Sequence, residues 1–264
     1  KALCNDQADT VLRFLYYINS YLKKLGKPPV KMGIYHGAIK ESLKEPAEEI
    51  RLKCPVCGRR LEALQLDGGT EVRCPDCKER FPFVKATRRD IFSDPPDILI
   101  TDPDIIHRRL FDDPNSHTIF GRNAIVCPAC RKVYVNFRKR KCDCGEELWG
   151  ADGPYLTIEP CVPKFLVFDE IHLLRGSLGI HVSYLRSRMQ HVLSYYASKK
   201  GIRNHKLICI GSSATIAKPH KFSEEFFLKE HEDIEVIEAD YEEGGEALNR
   251  IHIFSLPFAY QPLD

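Results

Sequence analysis

Phe165-Leu-Val-Phe168-Asp169-Glu170-Ile171-His172 sets an unbroken apolar run against two adjacent acids. Four consecutive apolar residues read as a short strand buried on both faces. Ligands of open α/β sheets bind outside the carboxyl ends of the strands, which is where Asp169 and Glu170 stand. An aspartate there can hold the Mg²⁺ of a nucleotide, and the adjacent glutamate can position or activate an attacking water. Forty-four positions after Asp169, Ser213-Ala214-Thr215 again follows an apolar strand, expected at 207–210. Two acids after a strand are a weak signal. Two such strand ends in this order are a far more specific one.

The flanking sequence alternates strand and helix patterns. Ala8, Val11, Leu12, Leu15, Leu22 and Leu25 recur at helical spacing, with Asn5 or Asp6 able to cap the helix and Gly26 followed by Pro28-Pro29 to stop it. Strands are expected at 30–35 and 97–101, and Pro103 suits the first turn of a helix reaching Leu110. Val182, Leu185, Met189, Val192, Leu193 and Tyr196 make one face of a long helix ending at Gly201, and a further strand is expected at 233–238. This alternation implies an α/β fold, a parallel sheet with helices on both faces.

Cysteines interrupt the alternation twice. Eight of the eleven fall into two sets: Cys54-Pro-Val-Cys57 with Cys74-Pro-Asp-Cys77, and Cys127-Pro-Ala-Cys130 with Cys142-Asp-Cys144. A Cys-x-x-Cys turn aims two thiolates at one ion, and a second turn completes a tetrahedron. The first set has the spacing of a zinc ribbon. The second departs from it, because one residue separates Cys142 from Cys144. Redox pairs or disulfides are the competing reading, and four pairs in a chain with no signal peptide speak against them. Both zinc sites would be structural, since four thiolates leave no open position. The organisation expected is therefore an α/β domain over 1–42, 91–117 and 160–264, a zinc-ribbon insertion at 43–90 and a second zinc-binding insertion at 118–159. Cys4, Cys161 and Cys209 stand in apolar contexts and read as small buried hydrophobes.

Composition narrows the class. Hydrophobic residues make up 43% and charged residues 29%, so the chain is neither a disordered tail nor a coiled coil. No apolar run is long enough to span a membrane and no secretory leader is visible, which points to a soluble cytoplasmic protein with no membrane partner. The formal net charge of +2 does not by itself argue for nucleic acid. Counting eight thiolates and two divalent ions changes it to −2. Local charge is more telling: Arg131, Lys132, Arg138, Lys139, Arg140 and Lys141 flank the second cysteine set, with Tyr134 and Phe137 between them. Such a run either contacts phosphates and stacks on bases, or is a solvated surface offsetting thiolate charge.

Taken together these motifs resemble the first RecA-like domain of a superfamily 2 DExH-box helicase. Asp169-Glu-Ile-His172 resembles motif II and Ser213-Ala-Thr215 motif III. Lys1-Ala-Leu-Cys-Asn-Asp-Gln7 resembles the end of motif Ia, Tyr35-His36-Gly37 the turn after the next strand, and Pro95-Pro-Asp-Ile-Leu-Ile-Thr101-Asp-Pro103 motif Ib. A narrower resemblance, through Arg175-Gly176-Ser-Leu-Gly179 and Ser213-Ala-Thr-Ile-Ala217, is to the subgroup with the mitomycin-repair helicases and the DISARM anti-phage helicase subunit.

The resemblance implies roles. Asp169 would hold Mg²⁺ through water, Glu170 would orient or activate water, and His172 would couple the nucleotide to Ser213, Ala214 and Thr215. Lys1, Asn5, Gly37 and Thr101 would lie along a nucleic-acid strand, expected to be DNA, with Arg138, Lys139 and Arg140 as further contacts. For Gly37 and Thr101 ordinary turn chemistry is the plainer alternative. The family's phosphate-cradling loop is missing from these residues: the one Gly-Lys, Gly26-Lys27, is followed by Pro28. The resemblance places that loop upstream of Lys1 and a second RecA-like domain beyond Asp264. The isolated chain is thus expected to be a fragment that neither binds ATP tightly nor hydrolyses it. The alternative is a non-hydrolysing scaffold whose zinc ribbons bind nucleic acid or a protein partner.

Overall fold

A computed structural model describes residues 2–66, 69–111, 121–134, 138–160, 162–199, 201–213, 216–237 and 252–255. They fall into two units, Lys1–Cys161 and Val162–Asp264. No helix among the described residues is long and apolar enough to cross a membrane.

The first unit opens with helix α1 (Ala2–Lys24). Asn5 and Asp6 lie inside this helix and do not cap it, a correction to the sequence expectation. Ala8, Leu12 and Leu15 form its buried stripe. Its C-terminus follows the chemistry of the sequence: Gly26 takes φ +65°, the Lys27 N–H donates to the Leu22 carbonyl at 2.9 Å, and the Gly26 N–H to that of Lys23 at 3.1 Å. This paired closure satisfies carbonyls the helix leaves open, and glycine adopts the left-handed residue without a Cβ penalty. Asn19 then fastens the chain that follows, donating to the Val30 carbonyl at 3.0 Å and accepting from the Val30 N–H at 2.8 Å.

Strand β1 (Met32–Tyr35) begins there and is buried throughout. Three antiparallel strands carry the first cysteine set: β2 (Ala47–Lys53), β3 (Arg60–Leu66) and β4 (Gly69–Arg73). Their apolar face, with Leu52, Leu61, Ala63 and Val72, shares one core with Ala8, Leu12, Met32 and Ile34. Strand β5 (Val84–Lys85) then pairs parallel to β1, and β6 (Ile98–Thr101) pairs parallel to its other edge. Between them lies α2 (Arg88–Ser93), unforeseen in the sequence although Thr87 and Asp90 form its capping box. Helix α3 (Pro103–Phe111) starts as expected, with Asp102 Oδ1 accepting the Ile105 N–H at 2.9 Å.

The second cysteine set sits among β7 (Gly121–Val126), β8 (Val133–Tyr134), β9 (Trp149–Gly150), β10 (Gly153–Pro154) and β11 (Leu156–Pro160). Strand β7 lies between β11 and β8, all antiparallel, while β9 and β10 form a separate hairpin. Ile125 and Leu148 are fully buried against Cys127 and Cys142.

In the second unit, β12 (Phe165–Phe168) pairs parallel with β13 (Ile208–Ser213). Helix α4 (Gly176–Lys199) connects them, and α5 (Pro219–Phe227) follows β13. Strands β14 (Glu235–Ile237) and β15 (His252–Ser255) complete the order β12-β13-β15-β14 with antiparallel pairings. The parallel strands thus lie in two sheets, β5-β1-β6 and the β12–β13 pair. The four apolar residues of β12 are not uniformly buried: Phe165 is 54% and Val167 61% exposed, whereas Phe168 packs on Phe226 with ring centroids 5.3 Å apart. An unbroken apolar run reports a strand but not which of its faces is covered.

Candidate functional site

Asp169 emerges from the end of β12 and Ser212-Ser213 from the end of β13, so parallel pairing brings them together. The Ser212 hydroxyl donates to Asp169 Oδ1 at 2.7 Å. His172 Nδ1 lies 2.9 Å from Ser213 Oγ and 3.1 Å from Glu170 Oε2. An ionised Glu170 favours the tautomer with the proton on Nδ1, facing both oxygens. Sequence reasoning named Ser213 but missed Ser212. Ala214 and Thr215 lie outside the described residues.

The local backbone explains how Glu170 and His172 meet. Glu170 takes a left-handed conformation, φ 50° and ψ 44°, ahead of a 3₁₀ turn over Ile171–Leu173. That conformation costs a non-glycine residue about 1–2 kcal/mol. Fully buried Ile171 anchors the turn, and the Leu174 N–H closes it onto the Ile171 carbonyl at 3.0 Å. Gly179 is required where this turn enters α4, because a Cβ there would stand 2.4 Å from the Leu174 carbonyl oxygen. Strain held beside paired acids motivates a functional reading of the turn.

In the first unit, Asn5, Gly37 and Thr101 gather near the carboxyl ends of β1 and β6. Each has a structural task. Asn5 Oδ1 lies 3.3 Å from Nε2 of His36, which is buried, and the Ala38 N–H donates to His36 Nδ1 at 3.2 Å. The Thr101 hydroxyl donates to the Tyr35 carbonyl at 2.7 Å, and Arg88 donates to the Gly37 carbonyl at 3.3 Å. Arg88 and Arg109 also lie over the Tyr35 ring, 5.6 and 5.5 Å from its centroid. Arg109 was not singled out in the sequence. Lys1 lies outside the described residues.

The eight cysteines form two clusters, each with its four sulfurs within 4.8 Å of one another. Cys54 and Cys77 sulfurs are 3.6 Å apart and those of Cys57 and Cys74 3.4 Å; Cys127–Cys144 and Cys130–Cys142 repeat these values. Each cluster has two buried and two exposed members. Both are compatible with a structural zinc ion held by four thiolates. The shortened Cys142-x-Cys144 turn still closes because the residue after each pair is left-handed: Gly58, Lys78, Arg131 and Gly145 have φ of 77°, 62°, 62° and 93°. Burial pushes the Cys142 thiol up, but hydrogen bonds from the Cys144 N–H and the Tyr134 hydroxyl outweigh it, leaving it at about 6. Tyr134 donates to Cys142 Sγ at 3.1 Å and accepts the Asp143 N–H at the same distance, so it orients the ligand it touches.

The basic run beside this cluster is largely engaged. Lys132 and Lys139 both pair with Asp143, the latter at 2.6 Å. Lys139 also lies 4.3 Å from the Tyr134 centroid, and Arg140 stacks on Trp149 at 3.7 Å. Trp149 Nε1 donates to the Lys139 carbonyl at 3.2 Å. This geometry favours charge compensation and packing for Lys139 and Arg140, one of the two readings the sequence left open.

No protein-family model matches the chain. It is similar to an uncharacterized ATP-dependent helicase of Methanocaldococcus jannaschii, 24% identical over 154 residues, which is 58% of this chain. The match spans 15% of that relative's length. The chain thus carries two four-cysteine clusters and is similar, over part of its length, to a protein named as an ATP-dependent helicase.

Proposed function

We propose that the chain is part of the motor of an ATP-dependent DNA helicase or translocase, built on a RecA-like domain that the two zinc ribbons interrupt. The arrangement that carries this reading is the polar chain across β12 and β13, Asp169 to Ser212 and Glu170 to His172 to Ser213. The similarity to a protein named as an ATP-dependent helicase supports it.

In this reading Asp169, an exposed carboxylate at a strand end, suits the oxygen-only preference of Mg²⁺ and would hold the ion. Mg²⁺ held there would supply neutralisation of the charge that develops on the nucleotide phosphate, with Asp169 as the residue that holds it. Glu170 orients or deprotonates the attacking water. His172 conveys the state of Glu170 to β13 through Ser213, with Ala214 and Thr215 completing the connection. Lys1, Asn5, Gly37 and Thr101 lie along the DNA strand. The ribbons extend this track, separate strands or dock a protein partner.

The phosphate-cradling loop and a second RecA-like domain belong to the longer parent polypeptide, so the isolated chain does not hydrolyse ATP. The resemblance through Arg175-Gly176-Ser-Leu-Gly179 and Ser213-Ala-Thr-Ile-Ala217 supports placing the parent in the mitomycin-repair and DISARM-type subgroup, with a role in DNA repair or anti-phage defence.

The test is ATP hydrolysis by the parent polypeptide with and without single-stranded DNA, beside its Glu170→Gln variant. DNA-stimulated turnover lost in the variant is the expected result. A folded, metal-loaded parent with no turnover overturns the motor and leaves a scaffold whose ribbons bind nucleic acid or protein.

A further inference from the structure

Helix α4 carries a buried arginine that the proposed chemistry does not use. Arg186 is 9% exposed, and its Nε is buried without a hydrogen-bond partner. Its partners are neutral: one terminal nitrogen donates to Ser187 Oγ at 3.0 Å, and the side chain also reaches Cys209. Burial raises the Cys209 thiol pKa, so Cys209 stays uncharged at neutral pH and supplies no counter-charge. Among the described residues no carboxylate pairs with Arg186. A buried guanidinium without a counter-charge is costly, and structures tolerate one where an anion completes it.

Arg186 lines a cavity of about 530 Å³ with Gln190, Ser194, His205, Lys206 and Lys229. Three of these six side chains are permanent cations. Lys229 lies 3.9 Å from Asp233. The remaining polar groups are pre-set by one another: Gln190 donates to Ser194 Oγ at 2.9 Å and to the His205 carbonyl at 2.7 Å, and accepts the Leu207 N–H at 2.7 Å. His205 Nε2 lies 3.0 Å from the Pro163 carbonyl. These hydrogen bonds hold the walls, and Arg186 Nε is the buried donor left without a partner. Topology separates this place from the acidic turn. The 204–207 segment precedes β13, whereas Asp169 and Ser213 stand at the opposite, carboxyl ends of β12 and β13.

We propose that this cavity is an oxyanion site that binds a phosphate group, with Arg186 as its buried donor and Lys206 and Lys229 closing over it. Arginine suits the role because its planar fork matches phosphate oxygens. The phosphate is either free inorganic phosphate or one unit of a nucleic-acid strand.

Thermal unfolding of the zinc-loaded chain in inorganic phosphate, against chloride at equal ionic strength, tests the proposal. A ligand that binds the folded state raises Tm with concentration and saturates. The wild type is expected to show this saturable rise. Arg186→Met keeps the bulk and removes the charge; it is expected to unfold no earlier than wild type without phosphate, and to need at least about tenfold more phosphate for the same rise. A merely structural arginine would instead lower Tm in both buffers. Lys229→Ala is expected to weaken the response without abolishing it. A short single-stranded oligonucleotide, added with phosphate, separates the sources: competition identifies a strand phosphate, and independence identifies the free ion. No rise beyond chloride, or an equal rise in Arg186→Met, overturns the site. Glu170→Gln should leave the phosphate response unchanged, so the result does not depend on the motor reading.

Discussion

Gly179→Ala sets two known effects against each other, and the geometry decides between them. Replacing glycine by alanine within a helix ordinarily stabilises by about 1 kcal/mol, through backbone entropy. Here the new Cβ would lie 2.4 Å from the Leu174 oxygen and 2.9 Å from its carbon, against ordinary contact at 3.4 Å and beyond. Roughly 1 Å of movement is needed, and the obstacle is backbone, which cannot rotate away as a side chain can. The segment is also held, by Leu174 N–H on Ile171 and Arg175 N–H on Leu173, both at 3.0 Å. Overpacking of this kind costs about 1–3 kcal/mol, and the rigid obstacle points to the upper part of that range. Subtracting the propensity gain leaves a net loss of about 1–2 kcal/mol. For a unit of about a hundred residues that lowers Tm by roughly 4–16 °C. Thermal unfolding followed by the helical circular dichroism signal measures it. A Tm equal to or above wild type would refute the close approach of Leu174 to α4. The displaced segment is the turn after Glu170, so if the parent is the motor proposed above, its DNA-stimulated ATPase should fall as well.

Metal analysis should find two zinc ions per chain, because each cluster gathers four sulfurs within bonding range of one ion; a value near one would remove the Cys142–Cys144 site, and near zero both. Arg140→Ala should cost about 0.5–1 kcal/mol and change Trp149 fluorescence, since the guanidinium lies 3.7 Å from that ring; an unchanged spectrum would mean the stack is absent in solution. Asp94 is pushed up by burial but lowered overall by hydrogen bonds from Lys31 and Lys85, at 2.8 and 2.6 Å. A depressed carboxylate contributes stability that is present above its unfolded pKa and lost as pH falls through the folded one. Asp94→Asn should therefore unfold more readily at neutral pH but lose less stability below about pH 4; parallel acid limbs for variant and wild type would exclude the effect.

Spacing made the ligand sets readable, because four thiolates at one ion demand tight turns and the cysteines mark them. The long helices were readable from Leu12, Leu15, Val182, Leu185 and Met189, whose burial follows the 3.6-residue period. What escaped depended on partners distant in sequence. Helix α2 straddles the boundary drawn at 90 between the first ribbon and the α/β domain, and was missed although Thr87 and Asp90 announced it. The exposed face of β12 could not be read from Phe165–Phe168, since an apolar run does not say what covers it. Asn5 looked like a cap because it precedes the first helical apolar residue, yet α1 begins earlier and His36 takes the side chain up. Trp149 carried no pattern of its own until Arg140 and Lys139 were placed around it.

The basic residues show why charge counting along a sequence misplaces an interface. Each four-thiolate zinc site carries a net charge of −2, and a fixed negative charge draws lysine and arginine toward it whether or not a polyanion binds. Around the second cluster Lys132 and Lys139 are paired with Asp143, and Lys139 and Arg140 rest on aromatic rings. Releasing them to phosphates would cost those contacts, so their affinity for a strand is reduced by what they already hold. Arg186 is the opposite case. It has only Arg188 close to it in sequence, belongs to no longer basic run and would be passed over in a scan of charge density. Yet it is buried with Nε unsatisfied. The free energy an anion can recover depends on how poorly the cation is already satisfied and not on how many cations stand nearby. By that measure the cavity beneath α4 is a stronger candidate for phosphate than the ribbon that first drew attention.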